Sequence, residues 1–342
     1  MNSNGDVSVL TLPTGTGTVS HLLTTGGDTR LNINKLTNLN QYLVSPYPQD
    51  DIIRRGSCTC SNISSELMEI AESKRKQLLE NTIDIDIDTD TDINDIQFTI
   101  AFNSILKRLS DYLGLSQLSD PADIILVPSG TDAEYLITIV AMVRQWNLSA
   151  GLESINGSIL NCITASGEVG RNTARAAGGH TISSCTPMGS LNNGGSSNSG
   201  SNNNEEHSYI SGFSGVSIEV VEFRLRSSID GSVLGLELEE SIANRIRSAL
   251  GKCNDKDNDK GKGNHNVNVV VLHIVCCSKT GVVSPSLEFA ARLRSEVGFD
   301  RLLVAVDCCQ LRCHASYLQK CLEMGFMCMI TGSKFFGGPP FR

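Results

Sequence analysis

The chain predicts an α/β fold, a mainly parallel sheet with helices on both faces, preceded by a helical N-terminal segment and interrupted by disordered insertions. Three observations carry that prediction. Strand-length apolar runs alternate with helix-length stretches through the second two thirds of the sequence. Most of those runs are unbroken rather than alternating, which suits strands covered on both faces. Polar residues gather just after several of the runs, where an open parallel sheet places its ligand.

In chain order, residues 1–60 are polar and turn-rich and read as an arm, with one short helix expected near 35–43. Residues 61–115 read as a helical segment. Apolar and charged residues recur at helical spacing over 65–80, and "FTIAFNSILKRLSDYL" (98–113) is an amphipathic helix. Between them "IDIDIDTDTDIND" (83–95) reads as a solvated acidic loop, because like charges in a row on one strand face repel. It lacks the glycine and closing glutamate of a calcium-binding loop. Residues 116–342 read as one domain. Strands are expected at 124–127, 159–164, 216–223, 269–275, 302–306 and 326–330, with helices at 133–146, 236–250 and 286–297. Two insertions, 187–211 and 252–266, are too polar to bury a core and are expected to be disordered.

Composition excludes several function classes. A formal charge of −9 with dispersed basic residues argues against a nucleic-acid partner. No apolar run reaches the length of about 18 residues that a membrane span needs. The N-terminus lacks the basic start and apolar stretch of a secretory signal, and twelve cysteines then point to a reducing compartment. The expected location is cytoplasmic, with an organellar leader as the alternative. The doublets Cys276–Cys277 and Cys308–Cys309 lie in or beside apolar runs, where neighbours face opposite sides of a strand. Buried cysteine is the expectation, so no metal site is assigned. A zinc site from Cys309, Cys313, His314 and Cys321 is the competing reading, without a CxxC knuckle to support it.

Three places carry chemistry. "VPSGTDAEYL" (127–136) passes from an apolar run through Ser-Gly-Thr into a helix, so Gly130, Thr131 and the helix N-terminus can cradle a phosphate. "LLVAVDCCQLR" (302–312) closes a strand on Asp307, an isolated carboxylate that needs a cationic partner, with Gln310 three residues on. "ITGSKFFGGPPF" (330–341) places Lys334 after another strand, beside Thr331 and Ser333. A phosphate cradle, a strand-end carboxylate and a strand-end lysine suggest pyridoxal phosphate, whose aldehyde takes the lysine amine and whose pyridine nitrogen takes the aspartate.

The ordered set "SGTDAE … VDCCQ … TGSK" resembles the fold-type I pyridoxal-phosphate enzymes, the aspartate-aminotransferase superfamily. Its Asp-x-x-Gln element looks most like the class V aminotransferase and cysteine desulfurase branch. The resemblance covers roughly residues 98–342. It implies that Gly130, Thr131, Thr331 and Ser333 bind phosphate, Asp307 pairs with the pyridine nitrogen, Gln310 meets the phenolic oxygen and Lys334 forms the Schiff base. It further implies an amino acid or amine substrate, transaminase or carbon–sulfur lyase chemistry and a homodimer. A fragment lacking the C-terminal domain of such enzymes is also expected. Glu168 and His180 are candidates for ring or substrate contacts, Ser278 and Thr280 for pocket lining, and Arg312 for a substrate carboxylate. Lys279 is a rival for Lys334, but it precedes Asp307 where the family places its lysine after. The alternative reading is a relative without catalysis that keeps the fold for binding or interaction.

Overall fold

The structure is a computed structural model, and it describes residues 17–23, 32–40, 42–45, 47–52, 62–80, 93–148, 158–182, 209–210, 212–213, 216–251, 267–332 and 334. Most of the acidic loop, nearly all of the 187–211 insertion and the whole of 252–266 lie outside the described residues.

Among the described residues, eight α-helices precede or flank the strands: α1 (Val19–Leu22), α2 (Ser65–Glu80), α3 (Ile93–Tyr112), α4 (Gly130–Leu148), α5 (Thr173–Ala177), α6 (Leu236–Gly251), α7 (Leu287–Val297) and α8 (Ala315–Glu323). Five strands, β1 (Ser158–Ser166), β2 (Ser217–Arg224), β3 (Val267–Val275), β4 (Leu302–Cys308) and β5 (Met327–Ile330), form one all-parallel sheet in the order β2-β1-β3-β4-β5. The fold class is α/β, as the sequence predicts. From β1 the chain steps outward to β2, then crosses back and proceeds the other way through β3, β4 and β5. The reversal point lies between β1 and β3, the place where open parallel sheets leave a ligand crevice.

Side chains on β4, and on β3 as far as Ile274, alternate between two apolar layers, as the two-residue period of a strand requires. Val269, Val271, Leu303, Ala305 and Cys309 pack with Ile137 and Ala141 of α4. Val270, Leu272, Ile274, Leu302, Val304, Val306 and Cys308 pack with α6, α7 and α8. The cysteine doublet at the end of β4 is therefore divided between the layers, Cys308 on one and Cys309 on the other. Helix α6 presents Leu238, Ile242, Ile246 and Ala249 to the second layer at helical spacing. Ile242 and Ile246 are wholly buried, each worth about 1.5–3 kcal/mol against exposure. Helix α7 starts at Ser286, whose Oγ accepts from the Phe289 amide at 3.2 Å.

Four expectations needed correction. The apolar run 124–127 is not a strand: it is in no ladder among the described residues, and Ile125 is 66% exposed. Composition makes a run suited to a sheet, but only a neighbour with free backbone groups makes it a strand. The short helix expected near 35–43 is instead a turn, closed by an Asn34–Leu39 bridge and by Asn34 Oδ1 accepting from the Leu36 amide at 2.8 Å. Strand β2 is an edge strand with partly exposed residues, not a run buried on both faces. Helix α8, with Leu318 and Cys321 buried, lies in a stretch where no helix was expected.

Candidate functional site

Helix α4 begins at the carboxyl end of the sheet because Ser129 caps it. Its Oγ accepts from the Asp132 amide at 3.2 Å and donates to the Asp132 carboxylate at 2.5 Å. This places Gly130 against the ends of β4 and β5. A Cβ there would stand 3.1 Å from Cys309 Sγ and 3.3 Å from Thr331 Cγ2. Close approach thus favours glycine there, with Thr131 following in the first turn. Thr331 is tied to β4 by donating to the Cys309 carbonyl at 2.7 Å.

Asp307, the penultimate residue of β4, lies on the α4 side. Its Oδ1 accepts from the Cys309 amide at 2.9 Å, which fixes the carboxylate at the start of the turn. Burial pushes the Cys309 thiol well up, the Asp307 charge adds to the shift and the Lys334 charge opposes it. Asp307 and half-buried Lys334 therefore both act on Cys309, the side chain that Gly130 abuts. Gln310, only 7% exposed, has a buried Oε1 without a hydrogen-bond partner in the same turn. Ser333 lies outside the described residues. The structure thus brings together the neighbourhoods of Gly130, Asp307, Thr331 and Lys334, drawn from three distant parts of the chain.

Sequence reasoning missed the groups beneath Asp307. Glu134 on α4 and His273 on β3 are both buried, with Glu134 Oε2 3.5 Å from His273 Nδ1. Burial, then the Asp307 charge, raises the Glu134 carboxyl well above its ordinary range. Burial lowers His273 to about 3. Asn161 of β1 faces His273 Nε2 across 3.4 Å and donates from Nδ2 to the Ala177 carbonyl at 2.7 Å. Glu134, Thr164, Val169, Thr173, His273 and Asp307 line a small pocket at the reversal point of the sheet. A signal existed in the sequence: Glu134, Ile137, Thr138, Ala141 and Gln145 occupy one face of α4, and all five are buried.

The remaining candidates are engaged elsewhere. Glu168 accepts from Arg226 Nε at 2.7 Å, from Ser278 Oγ at 2.6 Å and from the Thr280 hydroxyl. These donors hold its carboxyl low against the opposing effect of burial. Glu168 and Ser278 thus bind each other and knit the β1 exit to the turn after β3. Lys279 in that turn is exposed, with Nζ 3.5 Å from the Gly167 carbonyl. Arg312 clamps the same turn, donating to the Cys277 and Ser278 carbonyls at 3.2 and 2.5 Å. His180 stacks on Tyr209 with ring centroids 4.3 Å apart, and its carbonyl accepts from Tyr135. The competing zinc set does not converge. Cys309 faces α4, Cys321 lies in the opposite layer, and exposed His314 caps α8 by accepting from the Ser316 amide.

No protein-family model matches this sequence, and no curated protein matches it. Among the described residues, no helix is long and apolar enough to cross a membrane.

Proposed function

We propose that this chain binds pyridoxal phosphate and acts on an amino acid or amine, by transaminase or carbon–sulfur lyase type chemistry. One observation carries the reading: the glycine-led start of α4 meets Thr331 and Cys309 at the sheet end where Asp307 and Lys334 both act. The residues fit the cofactor on three counts. Gly130 leaves a backbone cradle that a Cβ would fill, beside a helix N-terminus suited to phosphate. Asp307 offers a fixed carboxylate for a protonated ring nitrogen. Gln310 carries an orphaned buried amide oxygen, and an amide in that position can turn either end toward a ligand.

Gly130, Thr131 and Thr331 would hold the phosphate, Asp307 and Gln310 the ring, and Lys334 the aldehyde carbon through its amine. When bound, pyridoxal phosphate supplies an electron sink for a carbanion next to the substrate amine. Asp307 holds the proton on the ring nitrogen. Burial and the Asp307 charge favour the neutral form of Glu134, which limits negative charge beneath the ring site. Lys334 would also be the base placed to move the substrate's Cα proton.

The test is reconstitution with pyridoxal phosphate, borohydride reduction and peptide mapping. A visible absorption band that disappears on reduction, with the pyridoxyl mass on Lys334, is expected, and Lys334→Ala should lose both. A label on Lys279, or a protein that stays colourless with excess cofactor, overturns the reading.

A further inference from the structure

On the opposite layer from Asp307, three cysteines from three segments converge. Cys276 follows β3, Cys308 ends β4 and Cys313 lies in the turn before α8, with all three Sγ atoms within 4.8 Å of one another. The ladder explains this: Val275 pairs with Asp307, so Cys276 and Cys308 are lateral neighbours, and the Cys276 amide donates to the Asp307 carbonyl at 2.9 Å. The Arg312 clamp on the Cys277 and Ser278 carbonyls draws the Cys313 turn over the same spot. Cys276 and Cys308 are buried and Cys313 is half-buried.

A polar group borders the same triad. Tyr317, half-buried on α8, sets its hydroxyl beside Cys276, Cys321 and Cys308 and interacts with the Cys276 thiol.

We propose that Cys276, Cys308 and Cys313 form a thiolate site for a soft divalent cation of the Zn2+ class, with the Tyr317 hydroxyl beside its fourth position. Zinc–sulfur bonds of about 2.3 Å in a tetrahedral site set sulfurs about 3.8 Å apart, so the triad closes by about 1 Å or less. Soft sulfur ligands exclude magnesium and calcium on chemical grounds. The thiol protons leave to solvent as the bonds form. The site is independent of the cofactor reading, since it uses the other face of the sheet.

The experiment titrates the reduced, metal-free full chain with Co2+, reading the thiolate-to-cobalt charge-transfer band, then displaces the Co2+ with Zn2+. One equivalent is expected. Cys313→Ala, in a half-buried turn, should weaken Co2+ binding by about 100-fold or more, above the loss typical of a supporting group. C58S/C60S, which removes another closely spaced cysteine pair, should leave it unchanged. A second measurement does not depend on any variant: Zn2+ should protect Cys313 of the native chain from alkylation. Absence of the band, its retention in Cys313→Ala, its loss in C58S/C60S, or Cys313 alkylation unaffected by Zn2+ overturns the site.

Discussion

Replacing Glu134 with glutamine isolates the proton held by the buried Glu134–His273 pair. In the folded chain, burial raises Glu134 well above 4.5 and lowers His273 from 6.5 to about 3. The pair therefore binds one proton from about pH 3 until Glu134 ionises. Unfolded, the same two groups bind two protons below about 4.5, one up to about 6.5 and none above. Stability from the pair then falls with rising pH above about 6.5, is flat between, and falls with acid below about 4.5. In Glu134→Gln only His273 titrates, so its contribution is flat above about 6.5 and falls below it. The wild type minus variant difference in unfolding free energy thus declines by about 1.4 kcal/mol per pH unit, while the pH stays below the native Glu134 value. From about pH 5 upward that difference accumulates until the native Glu134 value is reached, with every other titrating group cancelling. Urea unfolding followed by far-ultraviolet circular dichroism across that pH range measures it. A difference that does not vary with pH would falsify the protonated buried carboxyl.

Gly130→Val should destabilise the chain by about 1–3 kcal/mol through overpacking against Cys309 and Thr331, and should abolish pyridoxal phosphate binding even where the fold survives. Calorimetry with and without cofactor reads both effects. Glu168→Ala should cost about 1–3 kcal/mol near neutrality by removing the shared acceptor of Arg226, Ser278 and Thr280. Because the Glu168 value is lowered on folding, that cost should shrink as the pH falls from 4.5 through the native value, and a constant cost in acid would contradict the cluster. Cys162 is wholly buried in β1 and burial pushes its thiol to about 12, so it should resist alkylation in the native chain and react after denaturation. Peptide mass mapping of Cys162 under both conditions decides it.

The parts of the fold that could be read from the sequence are those that local pattern determines. Apolar runs at 269–275 and 302–306 sit within β3 and β4 because valine and leucine fill both of their faces. The helix expected at 236–250 is α6 to within a residue, since its apolar spacing matches a layer it must cover. The run 124–127 failed because pairing is decided by a distant partner, which no local window contains. Helix α8 was missed because His314 and Cys321 drew attention as metal ligands, whereas His314 is the cap and Cys321 belongs to the buried stripe. At the site, Gly130, Asp307 and Lys334 are legible because each stands where an apolar run gives way to a turn. Glu134 and His273 are hidden: one lies inside a helix and the other inside "VVVLHIV", where a polar residue looks like an interruption of the core. The Cys276–Cys308–Cys313 grouping depends on the lateral register of β3 and β4, and spacing along the chain does not disclose it.

The alternation along β4 makes the chain intolerant of odd-numbered length changes there. Deleting one residue between Leu302 and Val306 would rotate everything after it by half a pleat, turning the Asp307 carboxylate toward α7 and α8 and the Cys308 thiol toward α4. Removing two would shorten the strand yet leave each group on its own side. A deletion scan through this strand should therefore show a parity pattern, with single losses more damaging than double ones.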